Sequence, residues 1–403
     1  MHQNRFSTRQ RNRYRLAERL APYKLSLTLF VFPDYDMSRI YNTFCIQSNE
    51  DIVIKKPAVK NYIPTFRKPV VSFLFTMRAA CKILAILVCF SLAISLTVSC
   101  SPNRELRSIK NIGLILGSGG LGDKSFNDSA YSGLLEAQKK FNIRFETINF
   151  STKESNLEAL RNFARNKYDL IIGVAFENQD NIVAVAKEFP QIHFAVVDVA
   201  TEGDNIASIV YREQEGDFLI GVLAAMLTKT KSVGVIGGAD IPAIRRIISG
   251  FRQGVNYQDA SVMVFSDIAG TFSDPQVGLT MALTRYNEGA DVIHNAASRT
   301  GLGIIEAARQ TGKLTTGTSG DQRYLAPGNV VGNRPKRVDS AVIMLTEEVV
   351  NGTFQPGIRS LGLKENGLAL GPFDEKIVTG EILARLEDLK AQIISGQIIV
   401  QTE

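Results

Sequence analysis

The sequence predicts an α/β fold with two Rossmann-like lobes, each a parallel sheet flanked by helices. From residue 109 onward, short apolar runs alternate with helical patterns, as expected of parallel strands that are buried on both faces. The alternation restarts at Ser232. Two such runs over about 300 residues indicate two lobes rather than one large sheet, because single cores rarely grow that large.

The first run predicts five strands and four helices. Ser151–Glu154 has the spacing of a capping box and predicts a helix start, and Pro190 predicts the end of the next helix. The predicted strands are 109–116, 145–150, 169–174, 192–197 and 206–211, and the predicted helices are 127–141, 151–166, 178–189 and 216–227.

The second run predicts another lobe, with the chain crossing between lobes near 228–232 and again after Gly317. Ser273–Pro275 predicts a helix start with Pro in the first turn. The predicted strands are 232–236, 262–266, 291–295 and 313–317, and the other predicted helices are 243–257, 301–310, 338–350 and 375–394. The expected organisation is an N-terminal lobe at 109–229, to which C-terminal segments cross back, a C-terminal lobe at 230–320, and shared hinge crossings with a C-terminal helix at 321–403.

Residues 77–99 are typical of a secretory signal. A basic head at 77–82 precedes the apolar run 83–98, which is shorter than the ~20 residues that a membrane-spanning helix needs. The segment ending at Cys100 resembles a bacterial lipobox, although Leu96 stands one place earlier than usual. We therefore expect a lipid on Cys100, a tether at 100–108, and a protein anchored at the cell membrane that faces the periplasm or the exterior. The alternative is an uncleaved N-terminal anchor.

Residues 1–76 carry a run of arginines without the apolar periodicity of a folded element. Since a signal normally stands at the N-terminus, our interpretation is that translation starts at Met77 and that 1–76 is a start-site artefact. The alternative is a disordered basic extension in the cytoplasm.

Charge and cysteine content distinguish residues 1–100 from residues 101–403. Residues 1–100 hold 15 of the 46 basic and 5 of the 40 acidic residues, so residues 101–403 hold 31 and 35, a net charge of −4. The basic isoelectric point therefore gives no reason to expect nucleic-acid binding. All four cysteines lie at or before Cys100, which excludes a disulfide framework or thiolate metal site beyond it.

Enzyme motifs are incomplete. Residues 117–122 fit the dinucleotide pattern G-x-G-x-x-G after a strand, but the next strand ends in Asn149 and Phe150 rather than in the acid that holds a ribose. A Walker A loop would need lysine where Asp123 stands. His193 and His294 lack a sequence partner for catalysis. We expect neither a catalytic centre nor a cofactor.

Aromatic and polar residues follow several predicted strands. In open α/β sheets, ligands bind beyond the carboxyl ends of the strands. Two aromatic rings from opposite lobes could hold a flat ligand ring, while amide and carboxylate groups bind its edge. The residues at these positions are Phe126, Asn127, Phe176, Asp198, Phe272 and Asp321.

Several motifs, in order, resemble the basic membrane protein family of lipoproteins, which are similar to the spirochaetal purine nucleoside receptor. They are GDKSFN at 122–127, YREQEG at 211–216, GTFSDP at 270–275, GLG at 301–303, DQRYLAPG at 321–328 and KRVD at 336–339. The resemblance covers about 109–375. It implies a type I periplasmic-binding-protein architecture with hinge crossings, a lipid anchor and service to an ABC importer permease.

The resemblance also implies site residues, Asp123 among them. Phe126 and Phe272 match the aromatics that stack on the ligand ring, Asn127 and Asp198 match its base-edge partners, and Lys336 matches a lysine on the ribose side. Two ribose-binding carboxylates are replaced, by Gly117 and Ser319. Ser298 and Arg299 replace a Gly-Gly pair.

These departures concentrate at one end of the expected pocket. If Arg299 points inward, that end gains about three positive charges, and arginine prefers phosphate or carboxylate groups to a diol. The expected ligand is a purine nucleoside, a free base, a modified nucleoside or an anionic derivative. Alternatively, Arg299 faces solvent and ordinary nucleosides bind weakly.

The resemblance therefore predicts a monomeric, non-catalytic, lipid-anchored binding protein that closes two lobes over a purine-like ligand. The alternative is a surface lipoprotein that keeps the fold but acts as an adhesin or antigen for a host or matrix protein. The retained Phe126, Asn127, Asp198 and Phe272 favour the transporter, because an adhesin needs no intact cleft.

Overall fold

Two parallel β-sheets organise the protein. The structure, a computed structural model, describes residues 109–149 and 152–402. In these residues one sheet has six strands and the other has five, and all the strand pairings are parallel. The predicted class of two α/β lobes is confirmed.

The described residues contain eleven strands and nine α-helices. The strands are β1 (Lys110–Ile115), β2 (Ile143–Ile148), β3 (Leu170–Val174), β4 (His193–Val197), β5 (Ile206–Tyr211), β6 (Ser232–Gly237), β7 (Met263–Ile268), β8 (Val292–Ala296), β9 (Leu314–Thr318), β10 (Val330–Arg334) and β11 (Gly357–Leu361). The helices are α1 (Phe126–Lys140), α2 (Lys153–Arg165), α3 (Gln179–Glu188), α4 (Glu213–Leu227), α5 (Pro242–Gln258), α6 (Pro275–Asn287), α7 (Gly301–Thr311), α8 (Val338–Asn351) and α9 (Gly380–Ile394).

The strand order defines the two lobes. The first lobe has the order β11-β5-β4-β3-β1-β2, and the second has the order β10-β9-β8-β6-β7. The central strands β3 and β6 are buried along their whole length, because helices cover both faces of each sheet. Continuous apolar runs therefore predicted most strands to within two residues.

The chain crosses between the lobes three times. It leaves the first lobe after Tyr211, since the next helix, α4, packs against α5, β8 and β10 of the second lobe. It returns after Arg334, so that α8 packs on α1, and it crosses again after β11 to place α9 against α4. The first crossing thus lies one helix before the expected boundary at 228–232. The reason is packing: in α5, a Cβ atom on Gly254 would lie 1.9 Å from the carbonyl oxygen of Phe218 in α4, so these two helices are in close backbone contact.

The helix caps agree in part with the sequence. The Asp274 side chain accepts a hydrogen bond from the Gln276 backbone N–H, with Pro275 first in α6, as predicted. The cap of α2 is shifted by one residue, since Thr152 and Ser155 form the reciprocal pair instead of Ser151 and Glu154.

Other predictions either missed an element or concern residues outside the described ranges. Strands β10 and β11 were not predicted, and α9 begins at Gly380 rather than at 375. The signal segment, Cys100 and the tether lie outside the described residues. In the part of the chain that the structure describes, no helix has the length and apolar character that a membrane crossing requires.

Candidate ligand-binding site

The carboxyl ends of strands from both lobes border a narrow interlobe cleft. It encloses about 60 Å³. The residues that line it include Gly117, Ser118, Phe126, Asn127, Glu177 and Asp198 from the first lobe, Phe272, Ser319 and Arg334 from the second, and Lys336 from the second crossing. Both lobes thus contribute side chains to this cleft, which lies at the carboxyl ends of the strands.

Asp123 organises the loop before α1. It is fully buried, and its carboxylate accepts hydrogen bonds from the backbone N–H groups of Ser125, Asn127 and Asp128 at 2.9, 2.9 and 3.1 Å. It also accepts the Ser298 hydroxyl of the second lobe at 2.7 Å. Asp123 therefore fixes the loop and joins the lobes, but it does not line the cleft.

Asn127 is held by two hydrogen bonds. Its Oδ1 accepts the Gly117 N–H at 2.8 Å, and its Nδ2 donates to Asp123 at 3.0 Å. An amide Nδ2 carries two hydrogens, so one remains for another acceptor. Because the side chain is buried and lines the cleft, its direction is set before any ligand arrives.

Aromatic rings from both lobes line the cleft. Phe126 starts α1, and Phe272 lies against the backbone of Gly238, where a Cβ atom would be 2.2 Å from the ring. Phe176 does not line the cleft. Its side chain is exposed, and its ring is 6.4 Å from that of Phe272, centroid to centroid.

A buried charge cluster surrounds Lys336. Its ammonium lies 2.6 Å from Asp198 Oδ1 and 2.8 Å from Glu213 Oε1. Glu213 also binds Arg246 at 2.6 Å. The ammonium lies 5.7 Å from the ring centroid of Phe126, so the cluster and the aromatic wall are in contact.

These contacts shift the pKa values of the cluster. Burial raises the pKa of Asp198 to about 6, although Lys336 opposes the shift. Burial alone would lower the pKa of Lys336, but Asp198 and Glu213 outweigh it and hold the value above that of an ordinary lysine. Glu213 keeps a lowered pKa against burial because Lys336 and Arg246 favour its charged form.

Arg299 neither lines the cleft nor faces solvent freely. Its Nε donates to the Gly119 carbonyl at 2.6 Å, and its Nη2 donates to the Leu121 carbonyl of the same first-lobe loop. The expected inward-pointing guanidinium is therefore not found. Arg299 joins the lobes, together with a hydrogen bond from the Ser125 hydroxyl to the Thr318 carbonyl at 3.1 Å.

Ser319 and Asp321 lie at different places. Ser319 lines the cleft, with φ at +65°. Asp321 lies in a neighbouring groove of about 550 Å³ and pairs with Arg323 at 2.9 Å, whose hydrogen bond lowers the pKa of the Asp321 carboxyl. Asp321 therefore does not line the cleft in this structure, and its role in ligand binding stays a prediction.

Three charged residues near the cleft were not predicted. Glu213 stood in a quoted motif without a role. Glu177 follows the predicted strand β3 closely, as Asp198 follows β4, and so carries the same signal, whereas Arg334 ends β10, a strand that was not predicted. Arg334 is fully buried, and its Nε donates to Asp217 at 3.0 Å.

The two histidines among the described residues lie in strands, His193 in β4 and His294 in β8. His294 is fully buried, with Nε2 2.9 Å from Asp217 and Nδ1 2.7 Å from the Thr316 hydroxyl. Burial lowers the pKa of His294. The His193 ring packs on Phe354 at 4.4 Å between centroids. Across residues 109–149 and 152–402, no group of three or more His, Cys, Asp or Glu side chains could hold a metal ion.

Comparisons with known proteins agree with this architecture. The family model described as "ABC transporter substrate-binding protein PnrA-like" matches residues 109–403. Basic membrane protein A of Borreliella afzelii is 32% identical over 316 residues, which cover 75% of this chain and 95% of that protein. The CD4+ T-cell-stimulating antigen of Listeria monocytogenes is 30% identical over 317 residues, covering 72% of this chain and 87% of that protein.

Solved structures give the same result. An ABC transporter solute-binding protein from Aeropyrum pernix superposes with a TM-score of 0.67 at 28% identity, covering 73% of this chain and 94% of that one. Another, from Conexibacter woesei, has a TM-score of 0.62 at 22% identity, with 73% and 99% covered, and supports the fold alone. The chain belongs to the PnrA-like family of ABC transporter substrate-binding proteins.

Proposed function

We propose that this protein binds a purine nucleoside between its lobes and delivers it unchanged to an ABC importer permease. The observation that carries this proposal is the cleft itself: Phe126 and Phe272 come from opposite lobes and line one narrow space. A planar base between two rings is stabilised by stacking on both faces, which costs little conformational entropy. Such a site has no need of a catalytic group.

Hydrogen-bonding groups beside these rings suit the edge of a base. Asn127 has one amide hydrogen left for an acceptor, and Asp198 uses Oδ1 for Lys336, which leaves Oδ2 for a donor. Since Asp198 and Glu213 are balanced by Lys336 and Arg246, this group of residues carries little excess charge. A neutral heterocycle is therefore a better match for this part of the cleft than a fully charged group.

Binding requires the lobes to separate and close again. Sites for small molecules usually enclose about 300–1,000 Å³, whereas this cleft encloses about 60 Å³. The contacts of Ser298 and Arg299 with the first-lobe loop hold it narrow. A nucleoside would therefore enter an open form, and contacts from both lobes would favour a reclosed form around it.

We also propose that a lipid on Cys100 holds the protein at the membrane, facing outward, and that the binding unit is monomeric. The support for the anchor is the lipobox-like segment, and the family supports a membrane-associated protein outside the cytoplasm. Because the described fold begins at Lys110, only a short segment separates Cys100 from the first strand.

The ligand assignment predicts thermal stabilisation by purine nucleosides. The full chain should first be unfolded and refolded to remove bound ligand, then tested with inosine, guanosine, adenosine, pyrimidine nucleosides, free bases, nucleotides and ribose. A ligand at 100 times its Kd should add about 2.7 kcal/mol to the unfolding free energy. Phe272→Ala should weaken purine binding about 5- to 150-fold, since one stacked base is worth about 1–3 kcal/mol.

Tyr324→Ala is the matched control, because Tyr324 is exposed and lies in the neighbouring groove. The affinity of this variant for purine nucleosides should equal that of the wild type. If no purine compound raises Tm, the purine assignment is wrong and the adhesin alternative gains support.

The raised pKa of Asp198 predicts a pH-dependent preference among purines. A 6-oxopurine donates its N1–H to the ionised carboxylate, so its affinity should fall as pH decreases through about 6. With about nine tenths of the carboxyl ionised at pH 7 and about one tenth at pH 5, the loss should approach tenfold. A 6-aminopurine accepts at N1 from the protonated carboxyl and should gain relative affinity at low pH.

Calorimetric titration of inosine and adenosine between pH 5 and 7.5 measures this change. Lys336, Glu213 and Arg246 surround Asp198. The pKa of Lys336 is raised and that of Glu213 is lowered, so both side chains keep their charges over that range. Asp198→Asn should remove the change in the inosine-to-adenosine ratio. A ratio that stays constant with pH in the wild type would show that Asp198 does not bind the N1 edge.

Arg299→Ala should lower the affinity for every ligand by the same factor, because the Arg299 guanidinium binds backbone carbonyls of the opposite lobe and not the ligand. The loss of this interlobe contact should cost about tenfold in affinity, or ~1.4 kcal/mol. Arg309→Ala, which removes an exposed arginine paired with Glu306, is the control. A loss confined to anionic ligands would instead place Arg299 in contact with the ligand.

A further inference from the structure

Glu177 differs from the other charged side chains of the cleft. Asp198, Lys336 and Arg334 each have an oppositely charged partner. Among the described residues, Glu177 forms no ion pair, and its carboxylate faces the cleft lining. Its Oε1 accepts the Ser118 hydroxyl at 2.7 Å, whereas Oε2 is buried without a hydrogen-bond partner. A buried carboxylate oxygen without a donor is costly, so this atom requires a donor from elsewhere.

The backbone holds Glu177 in this place. It follows β3 by way of Ala175, whose φ of +79° is unusual for a residue with a side chain. The Ala175 N–H donates to Val197 at 3.0 Å, and the buried Asn178 donates from Nδ2 to the Val174 carbonyl at 2.6 Å. The turn is therefore fixed on both sides of Glu177.

The same turn occupies the space beside Gly117. A Cβ atom on Gly117 would lie 2.8 Å from the Cβ of Ala175, so no larger side chain fits at the end of β1 while this turn is present. The acidic group at this end of the cleft comes from Glu177, in the turn that follows the neighbouring strand β3.

The charges of the cleft indicate which donor suits Glu177. Asp198 and Glu213 are balanced by Lys336 and Arg246, and Arg334 is balanced by Asp217. The remaining charge at the cleft lining is the negative one of Glu177. A phosphate at this position would be repelled, whereas a hydroxyl would complete the hydrogen bonding of Oε2.

We propose that Glu177 is a specificity-determining residue whose Oε2 accepts a hydrogen bond from a sugar hydroxyl of the ligand. This inference rests on the proposed function, and it selects among the possible purine ligands. The bound molecule is a neutral nucleoside with free sugar hydroxyls, and a free base or a nucleoside 5′-phosphate binds less well. Ser118 is a positioning residue that orients the carboxylate.

Calorimetry on the full chain tests this proposal with inosine, 2′,3′-dideoxyinosine, hypoxanthine and inosine 5′-monophosphate. The wild type should bind inosine at least tenfold more tightly than each of the other three. Glu177→Gln should weaken the binding of inosine about tenfold, because a charge-assisted hydrogen bond becomes a neutral one. The affinities for dideoxyinosine and hypoxanthine should stay within about twofold of the wild-type values. Ser118→Ala should give a smaller loss in the same direction.

Glu202→Gln makes the same substitution at an exposed residue outside the cleft lining and should change nothing. Equal affinities of the wild type for inosine and dideoxyinosine, or equal losses for every ligand in Glu177→Gln, would overturn the role of Glu177 while leaving the purine assignment intact. Tighter binding of the monophosphate would also overturn it. If no purine compound binds the wild type, both the proposed function and this inference fail.

Discussion

The buried ion cluster at Lys336 joins the parts of the protein on which the site depends. Asp198 directly follows β4 of the first lobe, Glu213 begins α4 just after the first crossing, and Lys336 lies on the second crossing. Removing one partner would leave a buried charge uncompensated, which typically costs about 3–5 kcal/mol. Because Asp198 and Lys336 also line the cleft, the residues that hold the crossings together form the floor of the candidate site as well.

A second set of contacts controls the opening of the cleft. Asp123 and the carbonyls of Gly119 and Leu121 belong to the loop before α1, and they meet Ser298 and Arg299 of the second lobe. These contacts are polar and lie at the margin of the cleft, so they can break and reform with little change in the cores. A ligand that contacts both lobes shifts this equilibrium by as much as it prefers the closed form.

The sequence predicted the fold well where burial on both strand faces produced continuous apolar runs. It failed for β10, in which only Val330 and Val331 precede Gly332, Asn333 and Arg334, although all five residues are buried. It also failed for β11, an edge strand that is nowhere fully buried, because Gly-Ile-Arg-Ser-Leu forms neither an apolar run nor a polar–apolar alternation. Neither strand has the hydrophobic pattern on which such predictions depend.

The site was predicted in part for a similar reason. The rule that ligands bind beyond strand ends identified Phe126, Phe272 and Asp198, which line the cleft. The direction of Arg299 depends on carbonyl groups about 180 residues away in sequence, and the position of Asp321 depends on its pairing with Arg323. Tertiary contacts determine the direction and position of these side chains, and such contacts cannot be inferred from sequence patterns.

The most direct test of the account is the distance between the lobes with and without a purine nucleoside. Spin labels at Glu154→Cys in α2 and Gln276→Cys in α6, both exposed, would report it by double electron–electron resonance once the four native cysteines are replaced by serine. Closure of the lobes over a nucleoside predicts a broad distribution of longer distances for the protein stripped of ligand and a narrow, shorter one with inosine. Identical distributions in both conditions would contradict closure over a purine nucleoside.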